Sequence, residues 1–216
     1  MIFSGHWELN VNPYTGSKIP ELKRETQTLH YLKELIENVP GLKIVVEHIS
    51  TRVMIRLVEQ APENVAATLT VHHAILSSED VLGDDGKILN PHHYCKPIAQ
   101  TESNRQAIKD AMVSGNSKFF FGSDSAPHLI SAKECDNPAA GIFTAPVVLP
   151  LLCELFESRR ALDRLEGFVS EFGARFYGLP LNEGTIEIKQ SDWTVPDQHE
   201  GIKIFQGGKQ LRWRVA

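Results

Sequence analysis

Lys118-Phe119-Phe120-Phe121-Gly122-Ser123-Asp124 is an apolar run too short for a helix, and it closes on a carboxylate. Such a run reads as a buried strand of a parallel sheet. The same design recurs on its N-terminal side. Leu42 to Glu47 (LKIVVE) is a β-branched apolar run that delivers His48, and Val65 to Thr70 (VAATLT) ends in Val71-His72-His73. Met1-Ile-Phe-Ser reads as the inside of a buried strand running into Gly5-His6-Trp7-Glu8. Between these runs lie helical patterns. Residues 20–38 space Leu22, Leu29, Leu32, Leu35 and Ile36 for an amphipathic helix. Residues 52–60 predict a second helix, and residues 101–114 a third, whose opening Thr101-x-x-Asn104 only loosely resembles a cap. Strands alternating with helices predict βα units and a parallel sheet. In open sheets and in barrels of this kind, ligands gather at the carboxyl ends of the strands.

The remaining segments are less regular. Residues 76–89 are rich in Asp and Gly and read as an exposed excursion, and residues 125–141 as a long loop. Two further helices are expected over 142–157 and 161–173. From Thr185 onward the pattern is strand-like with polar turns, which predicts a small β appendage.

Composition narrows the function classes. With 216 residues, 42% apolar and 23% charged, the chain has the make-up of a globular protein with one sizeable core. No apolar run approaches the roughly 18 to 20 residues of a membrane span. The N-terminus has neither a basic region nor a long apolar segment, so a cytosolic address is the expectation. A formal charge of −5 gives no footprint for nucleic acid or an anionic membrane. Three widely spaced cysteines, Cys95, Cys135 and Cys153, suit reduced thiols better than a disulfide framework.

Chemistry concentrates at the strand ends. His6, His48 and Asp124 each follow an apolar strand, and imidazole nitrogens with a carboxylate suit zinc. Each histidine singly also reads as an ordinary satisfied side chain, and Asp124 as a helix N-cap. An unpaired buried carboxylate there would be costly, so Asp124 is expected beside a cation or strongly hydrogen-bonded. His128, behind Pro127 on the following loop, is a candidate anion ligand or a solvated loop histidine. The pairs His72-His73 and His92-His93 invite a zinc-cluster reading. On an extended chain, however, neighbours point to opposite sides, and no CxxC or HExxH supports a cluster. Phe119, Phe120 and Phe121 read as core, and Lys33-Glu37 as a solvated pair.

The stretches GHWE (5–8), VVEHIST (45–51), AATLTVHH (66–73), HHYCKP (92–97), FFFGSDSAPH (119–128), AAGIFTAP (139–146) and FVSEFGARFYGLP (168–180) together resemble dihydroorotase. The resemblance is to the short homodimeric type of bacteria and fungi in the amidohydrolase superfamily, and GSDSAPH with AGIFTAP is its most specific part. It implies the C-terminal part, about strands five to eight, of a (β/α)8 TIM-type barrel, with residues 1–180 in the barrel and 181–216 a β-rich extension packed on it. His6 and His48 then match metal-binding histidines, and Asp124 a metal ligand that is also the catalytic base and acid. His128 and Ala140 match positions holding the substrate carboxylate, and Lys96 one whose backbone meets the pyrimidine ring. The implied activity is zinc-dependent, reversible hydrolysis of dihydroorotate to N-carbamoyl-L-aspartate in pyrimidine biosynthesis, by a cytoplasmic homodimer. The complete centre of that family holds two zinc ions. Its His-x-His pair and its bridging carbamylated lysine have no counterpart in this chain, which contains no His-x-His. A catalytically dead fragment or a non-catalytic interaction subunit is therefore the competing expectation.

Overall fold

A computed structural model describes residues 1–216. Four parallel strands form one sheet in chain order: β1 (Ile2–Gly5), β2 (Lys43–Val46), β3 (Val65–Leu69) and β4 (Phe119–Phe121). Helices make the crossovers: α1 (Leu29–Asn38), α2 (Arg52–Gln60), then the short α3 (Val71–Ile75) and α4 (Glu102–Met112). The expected βα alternation is thus present. Because all four strands run the same way, His6, His48, Thr70 and Asp124 emerge from one edge of the sheet.

Alternation divides the sheet's faces. Ile44, Val46, Val65, Ala67, Leu69 and Phe119 enter the main core beneath the helices, with Leu32, Met54, Val58, Ile108, Leu152 and Phe156. The opposite face carries Val45, Ala66 and Phe120, covered by Phe172, Phe176 and Tyr177. The three phenylalanines of β4 are core residues, as expected. β1 departs from expectation. Ile2 and Phe3 are 41% and 46% exposed, because β1 pairs on one side only, with β2.

Two expected helices are shorter than their sequence pattern. Residues 20–28 form two 3₁₀ turns, Glu21–Lys23 and Thr26–Thr28, and only Leu29–Asn38 is α-helical. The cause lies 25 residues on. The buried carboxylate of Glu25 accepts from the N–H and hydroxyl groups of Ser50 and Thr51, which tethers this segment to the start of α2. Likewise, 161–173 is a 3₁₀ turn (Leu162–Arg164) and a π-helical turn (Gly167–Glu171) leading into the short helix α7 (Phe172–Tyr177). Between β4 and these lie α5 (Ile130–Lys133) and α6 (Val148–Ser158). The latter starts six residues later than expected. Residues 142 and 143 are extended, bridging Ser125 and Ile204, and Ser125 Oγ accepts from the Thr144 and Ala145 N–H groups. Thr101 makes no side-chain cap bond at the start of α4; Asn104 instead donates to Thr101 Oγ1 and accepts from the Arg52 N–H, which ties α4 to α2.

The C-terminal residues form β5 (Ile188–Thr194) with β8 (Gln210–Val215), and a small ribbon of β6 (Gln198–His199) with β7 (Ile202–Lys203). Val195, Ile204, Phe205 and Leu211 join the main core, and Glu154 and Glu157 of α6 bind Arg212 and Trp213 of β8. No helix is long and apolar enough to cross a membrane.

Candidate functional site

The strand ends are built on one polar network. Thr68 Oγ1 accepts from the His48 N–H at 2.6 Å and donates to Glu47 Oε2 at 2.6 Å, while Ser4 donates to the other oxygen of Glu47. Gly122 makes room for Thr68, since a Cβ there would lie 2.7 Å from the Thr68 Cβ. Both His48 (φ 40°) and Asp124 (φ 41°) sit in the left-handed region. For residues with a Cβ that conformation costs of order 1–3 kcal/mol and persists where surrounding contacts impose it.

His6 and His48 come together. Nδ1 of His6 lies 3.1 Å from Nε2 of His48, and Nε2 of His6 lies 3.1 Å from Glu8 Oε2, a largely buried carboxylate. With its Nε2–H donated to Glu8, His6 turns an Nδ1 lone pair toward His48. Burial first, then the neighbouring His6, lowers the His48 pKa to about 4, so the ring is neutral at pH 7. A neutral imidazole is the form that ligates metal. Two nitrogens 3.1 Å apart are near the roughly 3.4 Å edge of a tetrahedral zinc site, and a carboxylate behind a ligating histidine is its usual support. His48 and His6 therefore fit a metal ion.

Asp124 stands beside this pair but is not in one ligand set with it. The only trio of His, Cys, Asp or Glu whose ligand atoms all lie within 4.8 Å of one another is His72, His73 and Cys95. Asp124 instead faces His72, with Oδ2 3.8 Å from Nε2. Partial burial raises the Asp124 pKa, against a lowering influence from His6. That moves the carboxyl toward the range useful for carrying a proton near neutral pH.

The two adjacent histidines are not on an extended chain, as the sequence reading assumed. They lie on α3, both fully buried, with ring centroids 4.5 Å apart. His73 is bonded at both nitrogens, to Thr70 Oγ1 at 2.7 Å and to the Pro97 carbonyl at 2.8 Å. The Cys95 thiol donates to the same carbonyl, and burial pushes its pKa up to about 12. His73 and Cys95 thus fasten α3 to the loop of residues 94–97 through the shared Pro97 carbonyl. His92 and His93 occupy a 3₁₀ turn, with His92 on Glu134 and His93 on Asn90 and the Asp80 carbonyl.

The other expected positions lie on two loops. Lys96 is exposed and precedes a cis-proline, Pro97. His128 Nε2 is 3.0 Å from the Ala140 carbonyl, which brings those two together. Lys133, absent from the sequence reading, joins the loops. Its buried ammonium donates to the carbonyls of Tyr94, Ala139 and Gly141 at 3.0, 2.7 and 2.7 Å, and burial lowers its pKa to about 8. Glu8, Thr68 and His72 were also missed. Glu8 alone had a signal, standing two residues beyond His6 and so on the same side of an extended chain.

No protein-family model matches the chain. Curated relatives do. The dihydroorotase of Teredinibacter turnerae is 44% identical over 206 residues, which are 93% of this chain and 59% of that protein. That of Shewanella denitrificans is 41% identical over 206 residues, again 93% of this chain and 59% of the relative. Among solved structures, a Campylobacter jejuni dihydroorotase superposes with a TM-score of 0.84 at 33% identity, covering 99% of this chain and 60% of that one. A Saccharomyces cerevisiae dihydroorotase in complex with 5-fluoroorotic acid gives 0.88 at 31% identity, covering 100% and 63%. The chain spans about 59% of the length of the curated relatives it matches.

Proposed function

We propose, for a chain that belongs by sequence and fold with the dihydroorotases, that it acts in the reversible, zinc-dependent hydrolysis of dihydroorotate to N-carbamoyl-L-aspartate. The observation that carries this reading is the His6–His48 pair backed by Glu8, on the same sheet edge as Asp124. His6 and His48 would hold the metal, with Asp124 joining them once its side chain turns toward the pair, and the metal when bound would supply Lewis acidity toward the amide carbonyl and the attacking water. Asp124 takes a proton from that water and returns it to the amide nitrogen as the C–N bond breaks. The reverse reaction uses the same group in the opposite order. His128 and the backbone at Ala140 hold the substrate carboxylate, and the backbone at Lys96 meets the ring.

The wider reading follows the same relatives. Residues 1–180 are taken as part of the barrel and 181–216 as its extension, in a cytoplasmic homodimer serving pyrimidine synthesis. The complete centre is taken to hold two zinc ions, of which this chain offers His6, His48 and Asp124. Its formal charge of −5 supports a small-molecule substrate over nucleic acid. The test is zinc content of the purified chain together with conversion of dihydroorotate. We expect zinc bound through His6 and His48, and conversion that Asp124→Ala abolishes. A chain that binds no zinc, or conversion undiminished by that substitution, overturns the reading.

A further inference from the structure

One buried polar group is unexplained by the site as described so far. His72 is 0% exposed, yet neither of its ring nitrogens has a hydrogen-bond partner. An orphaned buried imidazole is costly and calls for an explanation. Its neighbour His73 is bonded at both nitrogens, so packing of α3 does not require the second ring to be a histidine. What His72 faces is Asp124 Oδ2, 3.8 Å from Nε2.

That gap is about 1 Å longer than a hydrogen bond, and only one partner is free to close it. His72 is locked in the core, whereas the Asp124 side chain is 35% exposed and stands at a backbone position with φ 41°. A carboxylate held at one oxygen by a fixed N–H keeps the other oxygen aimed outward. From this geometry we infer that His72 is a positioning residue: its Nε2–H grips Asp124 Oδ2 and orients the carboxylate for proton transfer at the open strand edge. The inference rests on Asp124 being the proton carrier. Acting through Asp124, His72 itself touches neither metal nor substrate.

The deciding experiment is nitrogen-15 NMR of the histidine rings in the intact chain, which needs neither metal nor turnover. We expect His72 in the Nε2–H tautomer, with an Nε2 resonance that moves in Asp124→Asn while those of His73 stay put. An Nδ1–H tautomer, or an Nε2 resonance indifferent to Asp124→Asn, overturns the inference. In turnover, His72→Phe should lower kcat about 10–100-fold, and His72→Gln, which keeps a donor, should recover most of it. KM should stay within about twofold, as for a group acting on the transition state. Should His72→Phe fail to fold, the tautomer and the Gln variant still decide. A chain that converts no dihydroorotate while showing the expected tautomer refutes the function proposal and leaves the His72–Asp124 contact standing.

Discussion

Lowering the pH from 7 to 4.5 should expose the worth of the buried histidines, and His73 is the cleanest case. Its pKa is held at about 4 against 6.5 for a free histidine, chiefly by burial. Because the folded-state value is depressed, stability is fully present above pH 6.5 and is lost as pH falls through the window from 6.5 to about 4. At pH 4.5 the unfolded histidine is almost fully protonated and the folded one mostly is not, which costs the fold about 2–3 kcal/mol relative to pH 7. His48, also lowered to about 4, adds a loss of the same sign. Glu25, raised by burial, opposes both, since its protonation in the fold becomes easier as pH falls. Comparison with His73→Gln removes these shared contributions. The amide keeps a donor for the Pro97 carbonyl but does not titrate. Urea unfolding followed by the fluorescence of Trp7, Trp193 and Trp213 should show the wild-type chain losing about 2–3 kcal/mol more than the variant between the two pH values. With a slope of about 2.5 kcal/mol per molar, that is a relative midpoint shift of about 1 M. Parallel losses in the two proteins would refute the claim that His73 is held neutral by its burial.

Three other outcomes are expected. Glu8→Gln should weaken zinc binding about 10–100-fold by chelator competition while leaving the melting temperature nearly unchanged, because it removes the support behind His6 and no core contact. Thr68→Val should cost about 1–3 kcal/mol in chemical denaturation, since it orphans the half-buried His48 N–H and one oxygen of Glu47. Gly141 has φ 146°, and a Cβ there would lie 2.6 Å from Ala126 Cβ and 2.9 Å from the His128 ring. On the proposed activity, Gly141→Ala should therefore raise KM for dihydroorotate more than it lowers kcat in steady-state kinetics, and an unchanged KM would count against the proposed binding role of His128.

The sequence was most transparent where a residue's neighbours in the chain are also its neighbours in space. β2, β3 and β4 announce themselves as short apolar runs, and parallel pairing then puts His6, His48 and Asp124 on one edge. Long-range contacts were opaque. Nothing in residues 20–28 signals that Glu25 will be buried against Ser50 and Thr51, so the helical spacing overreached. The exposed β1 was misread because an apolar run does not reveal how many partners it has. Lys133 carries no signal in the sequence, since its three partners are backbone carbonyls with no side-chain signature. His72 was hidden by the assumption that adjacent histidines lie on an extended chain, whereas Thr70 caps a short helix there by accepting from the His73 N–H.

The Lys133 clamp has a consequence for how this molecule can change over time. One ammonium holds Tyr94 on one loop and Ala139 and Gly141 on another, and the Gly141 N–H reaches the Tyr94 carbonyl as well. The proposed ring contact at Lys96 and the proposed carboxylate contacts at His128 and Ala140 are therefore not independent parts. A substitution tolerated in one loop will depend on the residue present in the other, so paired changes across 94–97 and 139–141 should be strongly epistatic, and both loops should drift toward a new substrate together or not at all.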